Sequence, residues 1–335
     1  ERIQVSDMAD LRTSWMGMAL RSPLVVGSSG LTRTAEGVRR CAEAGAGAVV
    51  LKSIFEEAIA HEVQAALDAG MDSFVHPEAM DYVKSLSRDN EVGNYLRLIA
   101  DAKKGADIPV VASVHCVSAS AWPDFAKQVQ DAGADALELN AFVLPADGTR
   151  DSAAIEKVYL DMAAAVREKV RIPVAMKLSC HLTSIPHTAM ALDRAGIRSL
   201  TLFNRFFVND IDIEKLALKR GGFLSSPEEY LLPMRWMSLL HGRLSCDLAA
   251  STGGHSASSA IKLLLAGATV VQVVSALYRN ELSFLSTMNA ELAAWMDRQQ
   301  LATIEAFRGH LSQKASGNPA AFERVQFMKF SVGME

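Results

Sequence analysis

The sequence predicts an α/β chain folded as a (β/α)8 barrel. Two observations carry that prediction. Eight short, β-branched and almost wholly apolar runs recur at fairly even spacing, and between them lie segments of helical periodicity, several closing on Ala-Gly-Ala or Ala-Gly-Ile. Runs of that length, apolar on both faces, suit strands covered on both sides, as in a parallel sheet. The glycine of each closing tripeptide relieves the left-handed turn after a helix. A doubly wound open sheet is the competing architecture, but no Gly-x-Gly-x-x-Gly turn follows the first strand.

In order, the strands are expected at 23–29, 48–53, 108–115, 136–140, 172–179, 199–204, 244–251 and 269–276, with the clearest helices at 34–46, 121–134, 153–170 and 256–268. Two spacings are too long for a simple strand–helix unit, 54–107 and 205–243. In a barrel such insertions on the C-terminal face build a lid or a substrate wall. No linker or repeat interrupts the chain, so residues 1–335 are expected to form one domain.

Composition narrows the function classes. Net charge is −4 with acids and bases interspersed, which gives no electrostatic footprint for nucleic acid. Cys41, Cys116, Cys180 and Cys246 are far apart without a Cys-x-x-Cys pair, and read as reduced thiols of a cytoplasmic protein. Three of them lie in or beside apolar runs, where burial is the commoner state. The start of the chain is polar, and the longest apolar stretch is broken by Gly267, Gln272 and Ser275, so neither a secretory segment nor a membrane span is expected.

A barrel carries its chemistry where the strands end. The residues at the expected tips are Ser28, Ser29 and Gly30, then Lys52 and Ser53, His115, Asn140, Lys177 and Ser179, Asn204, Ser251 to Gly254, and Ser275. A lysine near the end of an apolar strand needs a counter-charge, because an unpaired buried ammonium is costly. Two of them, Lys52 and Lys177, point to a bound anion or an electron-rich ring, against the alternative of lysines reaching out to solvent. Asn140 and Asn204 are donor and acceptor at once and suit an amide-like edge, or else bond loop backbone. Gly253 and Gly254 open a helix just before the last strand, where barrels commonly hold a phosphate. His61, His76, His181 and His187 have no metal spacing; His76 and His181 are the two that could belong to site loops. No His-Glu-x-x-His, Ser-His-Asp order or nucleophile elbow is present.

These motifs resemble the dihydroorotate dehydrogenase family of FMN-dependent TIM barrels, especially its soluble class 1 members. "LRTSWMGMALRSPLVVGSSGL" resembles the family's N-terminal hairpin and first strand, "VLKS" its lysine strand, and "LELN", "MKLS" and "LFN" its middle strand tips. "GGFLSSPEEYLLPMRWM" resembles its flap and following helix, "STGGHSASSAIKLLLAGATVVQVVSALY" its phosphate-binding end, and "IEAFRGHLS" its C-terminal helix. The resemblance implies FMN, with Ser28, Ser29 and Gly30 along the flavin, Lys52 between flavin and substrate, and Ser53 beside it. Lys177 would meet the flavin ring, and Asn140 and Asn204 would face flavin and substrate. Gly221, Gly222, Thr252, Gly253, Gly254 and Ser275 would line the phosphate pocket. It implies a homodimer as well, and an N-terminal segment without paired apolar helices sets the membrane-bound, quinone-using class aside.

One loop departs from the family. Class 1 members carry Asn-Leu-Ser-Cys-Pro-Asn after the fourth strand, and the Cys is the base that takes a proton from dihydroorotate. Here the loop reads Asn140, Ala141, Phe142, Val143, Leu144, Pro145. Val143 cannot accept a proton, which leaves His76 or Cys180 as substitutes. The segment 68–83 departs from the family's substrate loop too. Three functions therefore stand open: dihydroorotate oxidation in pyrimidine biosynthesis with a relocated base, an FMN oxidoreductase for another unsaturated or heterocyclic small molecule, and a flavin-holding subunit that passes electrons to a partner protein. Fumarate, NAD reached through a partner, and other electron acceptors are not separated by the sequence.

Overall fold

The protein, seen in a computed structural model, is a (β/α)8 TIM barrel with an N-terminal hairpin. The structure describes residues 9–56, 91–118, 122–206, 209–222 and 224–323. They divide into two compact units, one of Glu1–Val26, Ala44–Gly47 and Ser199–Glu335, the other of Gly27–Glu43 and Ala48–Arg198.

The first unit opens with the antiparallel pair β1 (Thr13–Trp15) and β2 (Met18–Leu20). Met16 and Gly17 make the two-residue turn, both with positive φ, which matches the twist of a hairpin. The hairpin is fastened to the N-terminal ends of two barrel strands. Trp15 Nε1 donates to Ser199 Oγ at 2.8 Å, and Met16 N–H to Asp247 Oδ2 at 2.6 Å. Those strands are β9 (Ser199–Leu202) and β12 (Asp247–Ser251), and β13 (Val270–Val273) and β3 (Leu24–Val26) continue the parallel order β9–β12–β13–β3. Every residue of β3, β9 and β13 is buried, which is why these strands read as continuous apolar runs. Between β9 and β12 come a second hairpin, β10 (Asn209–Asp212) with β11 (Ala217–Arg220), and the helix α6 (Leu231–Leu240). Helices α7 (Ala257–Ala266), α8 (Ser275–Asn280) and α9 (Phe284–Arg298) complete this unit.

The second unit alternates α1 (Ala35–Glu43), β4 (Ala48–Val50), β5 (Ile54–Phe55), α2 (Glu91–Gly105), β6 (Val110–Cys116), α3 (Pro123–Asp131), β7 (Ala136–Ala141), α4 (Ser152–Lys169), β8 (Val174–Leu178) and α5 (Ile185–Arg194). Strand β6 pairs first with β4, at Val49↔Val110 and Val50↔Val111, and then with β5, at Ile54↔Val114 and Phe55↔His115. Between those pairings the chain leaves the sheet at Lys52 and Ser53. The backbone of Ser113 thus faces no strand residue on that side. The Tyr95 hydroxyl of α2 fills the gap, accepting from Ser113 N–H at 2.7 Å and donating to Ser113 C=O at 3.0 Å.

Two expectations are corrected. Residues 304–312 form successive turns, not a helix. Gly309 has φ +75, and the N–H groups of Gly309 and Leu311 bond to Leu264 and Leu265 carbonyls at the end of α7. Backbone donors spent on another element cannot propagate a helix. The last strand stops at Val273, so Ser275 begins α8 and is not a strand residue. Among the described residues no helix is long and apolar enough to cross a membrane. No group of three or more His, Cys, Asp or Glu side chains there could hold a metal ion.

Candidate active site

Parallel register gathers the strand tips of the second unit into rows. Phe55, His115, Asn140 and Lys177 are successive partners across β5, β6, β7 and β8. In-register residues of a parallel sheet share a face, so these side chains project together. Lys177 is 9 % exposed, and no hydrogen bond or ion pair from a described residue reaches its ammonium. A buried cation that no described residue neutralises is suited to an anionic or electron-rich acceptor.

Lys52 differs from what its place in the sequence suggests. Strand β4 ends at Val50, which leaves Lys52 exposed with Nζ 5.5 Å from the centre of the Phe55 ring. The need for a buried counter-charge therefore rests on Lys177 alone. Ser28 and Ser53 are brought together: Ser28 Oγ lies 3.0 Å from Ser53 Oγ and accepts from Ser53 N–H at 3.0 Å. Ser53 Oγ continues the chain to Ser113 Oγ at 2.8 Å. Ser29 caps the short 3-10 turn that Gly30 starts, its Oγ accepting from Leu31 N–H. The serine chain Ser28–Ser53–Ser113 fixes the hydroxyls beside Lys52.

After β7 the chain runs Phe142, Val143, Leu144. Phe142 N–H bonds the Cys116 carbonyl at 2.9 Å, Val143 is buried, and Leu144 is exposed. Cys180 is half-buried, and burial pushes its thiol above the ordinary range, which opposes its use as a base. His181 is exposed. His76 and the departing segment 68–83 lie outside the described residues.

The first unit assembles a second set at its own strand ends. Asn204 follows β9. Thr252 and Gly253 follow β12 in left-handed backbone conformations, with φ +81 and +79. A Cβ on Gly253 would sit 2.0 Å from the Tyr230 backbone nitrogen, so only glycine permits this approach. Ser275 Oγ accepts from Ser225 N–H at 3.0 Å, and Ser225 Oγ lies 2.8 Å from His255 Nε2. Arg279 donates to the Ser225 carbonyl at 3.1 Å. Arg205 pairs with Glu229 at 2.9 Å and donates to the Gly222 carbonyl at 3.1 Å, which ties the Gly221–Gly222 turn to the following segment. Burial first, and Arg279 second, hold the His255 imidazole below its ordinary value. A neutral imidazole can donate or accept here. Ser225, His255 and Arg279 were not singled out from the sequence. Their only signal is position: His255 directly follows the glycine pair, and Arg279 lies four residues, one helical turn, past Ser275.

The sequence is similar to those of known proteins. The profile of the family described as "Dihydroorotate dehydrogenase" matches residues 69–296. The catalytic subunit of a dihydroorotate dehydrogenase B (NAD(+)) from Thermoplasma acidophilum is 26 % identical over 307 residues, covering 90 % of this chain and 99 % of its own. The corresponding subunit from Methanosarcina acetivorans is also 26 % identical, over 88 % of this chain and 93 % of its own. A chloroplastic dihydropyrimidine dehydrogenase (NADP(+)) from Arabidopsis thaliana is 25 % identical over 91 % of this chain and 77 % of its own.

Proposed function

The chain belongs to the dihydroorotate dehydrogenase family, and we propose that it is an FMN-dependent oxidoreductase whose first candidate substrate is dihydroorotate. Family membership makes it an oxidoreductase acting on CH–CH bonds. The observation that carries the cofactor is Lys177, a buried ammonium that no described side chain neutralises. It suits an electron-rich, anion-forming ring. A bound flavin supplies the acceptor for a hydride equivalent taken from the substrate.

In this reading Lys177 stabilises negative charge on the ring, and Asn140, next to it in register, presents an amide to ring and substrate edges. Asn204 does the same from β9. Ser28, Ser29, Gly30 and Ser53 border the flavin, and Lys52 reaches the substrate from the solvent side. Gly221, Gly222, Thr252, Gly253, Gly254 and Ser275 hold the phosphate, with the left-handed turn at Gly253 keeping backbone close to it. The chain then works as one FMN-binding domain, 1–335, in a cytoplasmic homodimer. An electron-transfer subunit that delivers electrons to NAD fits the relatives that are catalytic subunits of NAD-linked enzymes.

A second reading has its own support. Phe142 and Val143 stand where the family has a Ser and the Cys base, and Leu144 where it has a Pro, so a CH–CH substrate other than dihydroorotate fits the wall better. Purified protein is expected to be yellow and to release FMN on denaturation. Anaerobic bleaching by dihydroorotate supports the first reading. A yellow protein that dihydroorotate leaves unbleached overturns it in favour of the second, and a colourless protein that takes up no FMN overturns both.

A further inference from the structure

Strand β6 places Cys116 Sγ 3.8 Å from Met162 Sδ of α4, so Cys116 faces the helix layer. Successive strand residues point to opposite faces. His115 therefore projects from the other face, in the row of Asn140 and Phe55. Its imidazole lies between two phenyl rings, with centroids 4.7 Å from Phe55 and 4.9 Å from Phe142. The two rings flank the imidazole at tilts of 41° and 36°. His115 is half-buried, with its Nδ1 shielded from solvent.

Other proton acceptors in this unit are poorly placed. Val143 and Phe142 have none to offer. Cys116 looks into the helix layer, and burial raises its thiol. His181 and His187 are exposed, the latter on α5. Among the described residues of this unit, His115 is the imidazole within the strand-tip row.

We propose that His115 is the proton-transfer residue of this site, acting on a ring that carries a CH–CH unit beside a carbonyl and packs one flank against Phe55 and Phe142. The inference rests on the flavoenzyme reading above. In the forward step the C–H bond next to the carbonyl breaks, its proton going to an imidazole nitrogen and its electron pair forming the new C=C bond. A bound flavin would supply the two-electron oxidant that takes hydride from the neighbouring carbon, and the imidazolium returns its proton to water. Four charged groups face this row among the described residues. Lys177 lies two strands along, roughly 10 Å away by strand spacing, and Lys52 stands over Phe55. Glu138 is one pleat down from Asn140, and Glu56 follows Phe55, its carboxylate bonded to Val117 and Ser118 N–H. The ammonium groups favour the anion that forms as the proton leaves.

The test uses FMN-loaded wild type, H115Q and H115A, mixed anaerobically with dihydroorotate and separately with 5,6-dihydrouracil between about pH 5 and 8 (the span over which an imidazole changes charge). Flavin bleaching is followed by absorbance. Wash-out of the proton next to the carbonyl into D2O is followed by NMR. For whichever compound bleaches the wild type, the rate should rise with pH through one titration and level off. H115Q should lower the plateau about 100-fold or more, lose that limb and slow the wash-out, with flavin content and Tm unchanged. Added imidazole should partly restore H115A. A plateau, limb and wash-out retained in H115Q overturn the inference, as does a yellow wild type that neither compound bleaches. A colourless protein is the separate failure of the flavin reading.

Discussion

Replacing Tyr95 by Phe removes one oxygen atom and leaves two backbone groups without partners. The Tyr95 hydroxyl accepts from Ser113 N–H at 2.7 Å and donates to Ser113 C=O at 3.0 Å, in the gap where β6 exchanges β4 for β5. The side chain is 7 % exposed, so water does not readily replace it. Phe fills the same volume, and the cost is therefore the two stranded groups rather than a cavity. A buried donor or acceptor left unmade costs about 1–3 kcal/mol, and two of them put the variant about 2–6 kcal/mol below wild type. Burial holds the phenol above its ordinary range, so it stays protonated and the loss should be the same at pH 6 and pH 9. Urea unfolding measures it as a lower midpoint. K157A, which breaks an exposed pair with Asp161 on α4, is the control, expected within about 0.5 kcal/mol. Ser113 Oγ also supports Ser53, so Y95F should bind FMN more weakly as well. A loss below about 1 kcal/mol would mean that Tyr95 does not hold the gap.

Other outcomes follow from single residues. K177M should bind FMN at least 10-fold more weakly while the flavin-free protein becomes no less stable, because a buried ammonium that no described residue neutralises is removed; flavin titration and thermal unfolding of stripped protein check the pair. G253A should lower both Tm and flavin content, since a left-handed alanine costs about 1–2 kcal/mol and its Cβ would meet the Tyr230 nitrogen; calorimetry and flavin absorbance read both. Burial holds the His241 imidazole below its ordinary 6.5, so the unfolded chain takes up the proton first as pH falls. Stability present above that value is then lost as pH drops through the folded value, and H241Q should flatten the loss between pH 7.5 and pH 5 in urea titrations (roughly the lower half of the imidazole range).

Much of the fold was legible because burial on both faces writes itself into a strand as an unbroken apolar run. Leu24 to Val26, Val110 to Ala112 and Val270 to Val273 are all but completely buried, and each was readable as a strand. Positions beyond the strand ends were harder. Lys52 and Lys177 look alike in sequence, each closing an apolar run, yet one stands in solvent and the other is buried. The difference arises because β4 ends two residues before Lys52 while β8 continues past Lys177. Strand termination there depends on the chain turning aside to let Tyr95 reach Ser113, a long-range event that no local pattern records. Residues 304–312 were expected as a helix from the family resemblance, but the N–H groups of Gly309 and Leu311 serve α7. His115 was visible as a tip residue, whereas its clamp of two phenyl rings needed the register of three strands.

The candidate site thus joins two kinds of support, and they respond differently to sequence change. The glycine turn at Gly253 and the bond from Ser225 N–H to Ser275 rest on backbone geometry, so altering them disturbs fold and ligand together. Lys177 lies within a strand whose every residue is buried. By contrast, the wall after β7 is made of side chains on a connecting segment, with Leu144 55 % exposed. Substitutions on exposed segments usually change stability by only about 0.5 kcal/mol. A family member can therefore replace a polar, thiol-bearing wall by Phe142, Val143 and Leu144 without loosening its flavin site. What such a replacement removes is the family's proton acceptor, and among the described residues of this unit a strand of the row offers an imidazole in its place. His115 keeps its position because β6 is held beside β7 by register, independently of the loop that changed.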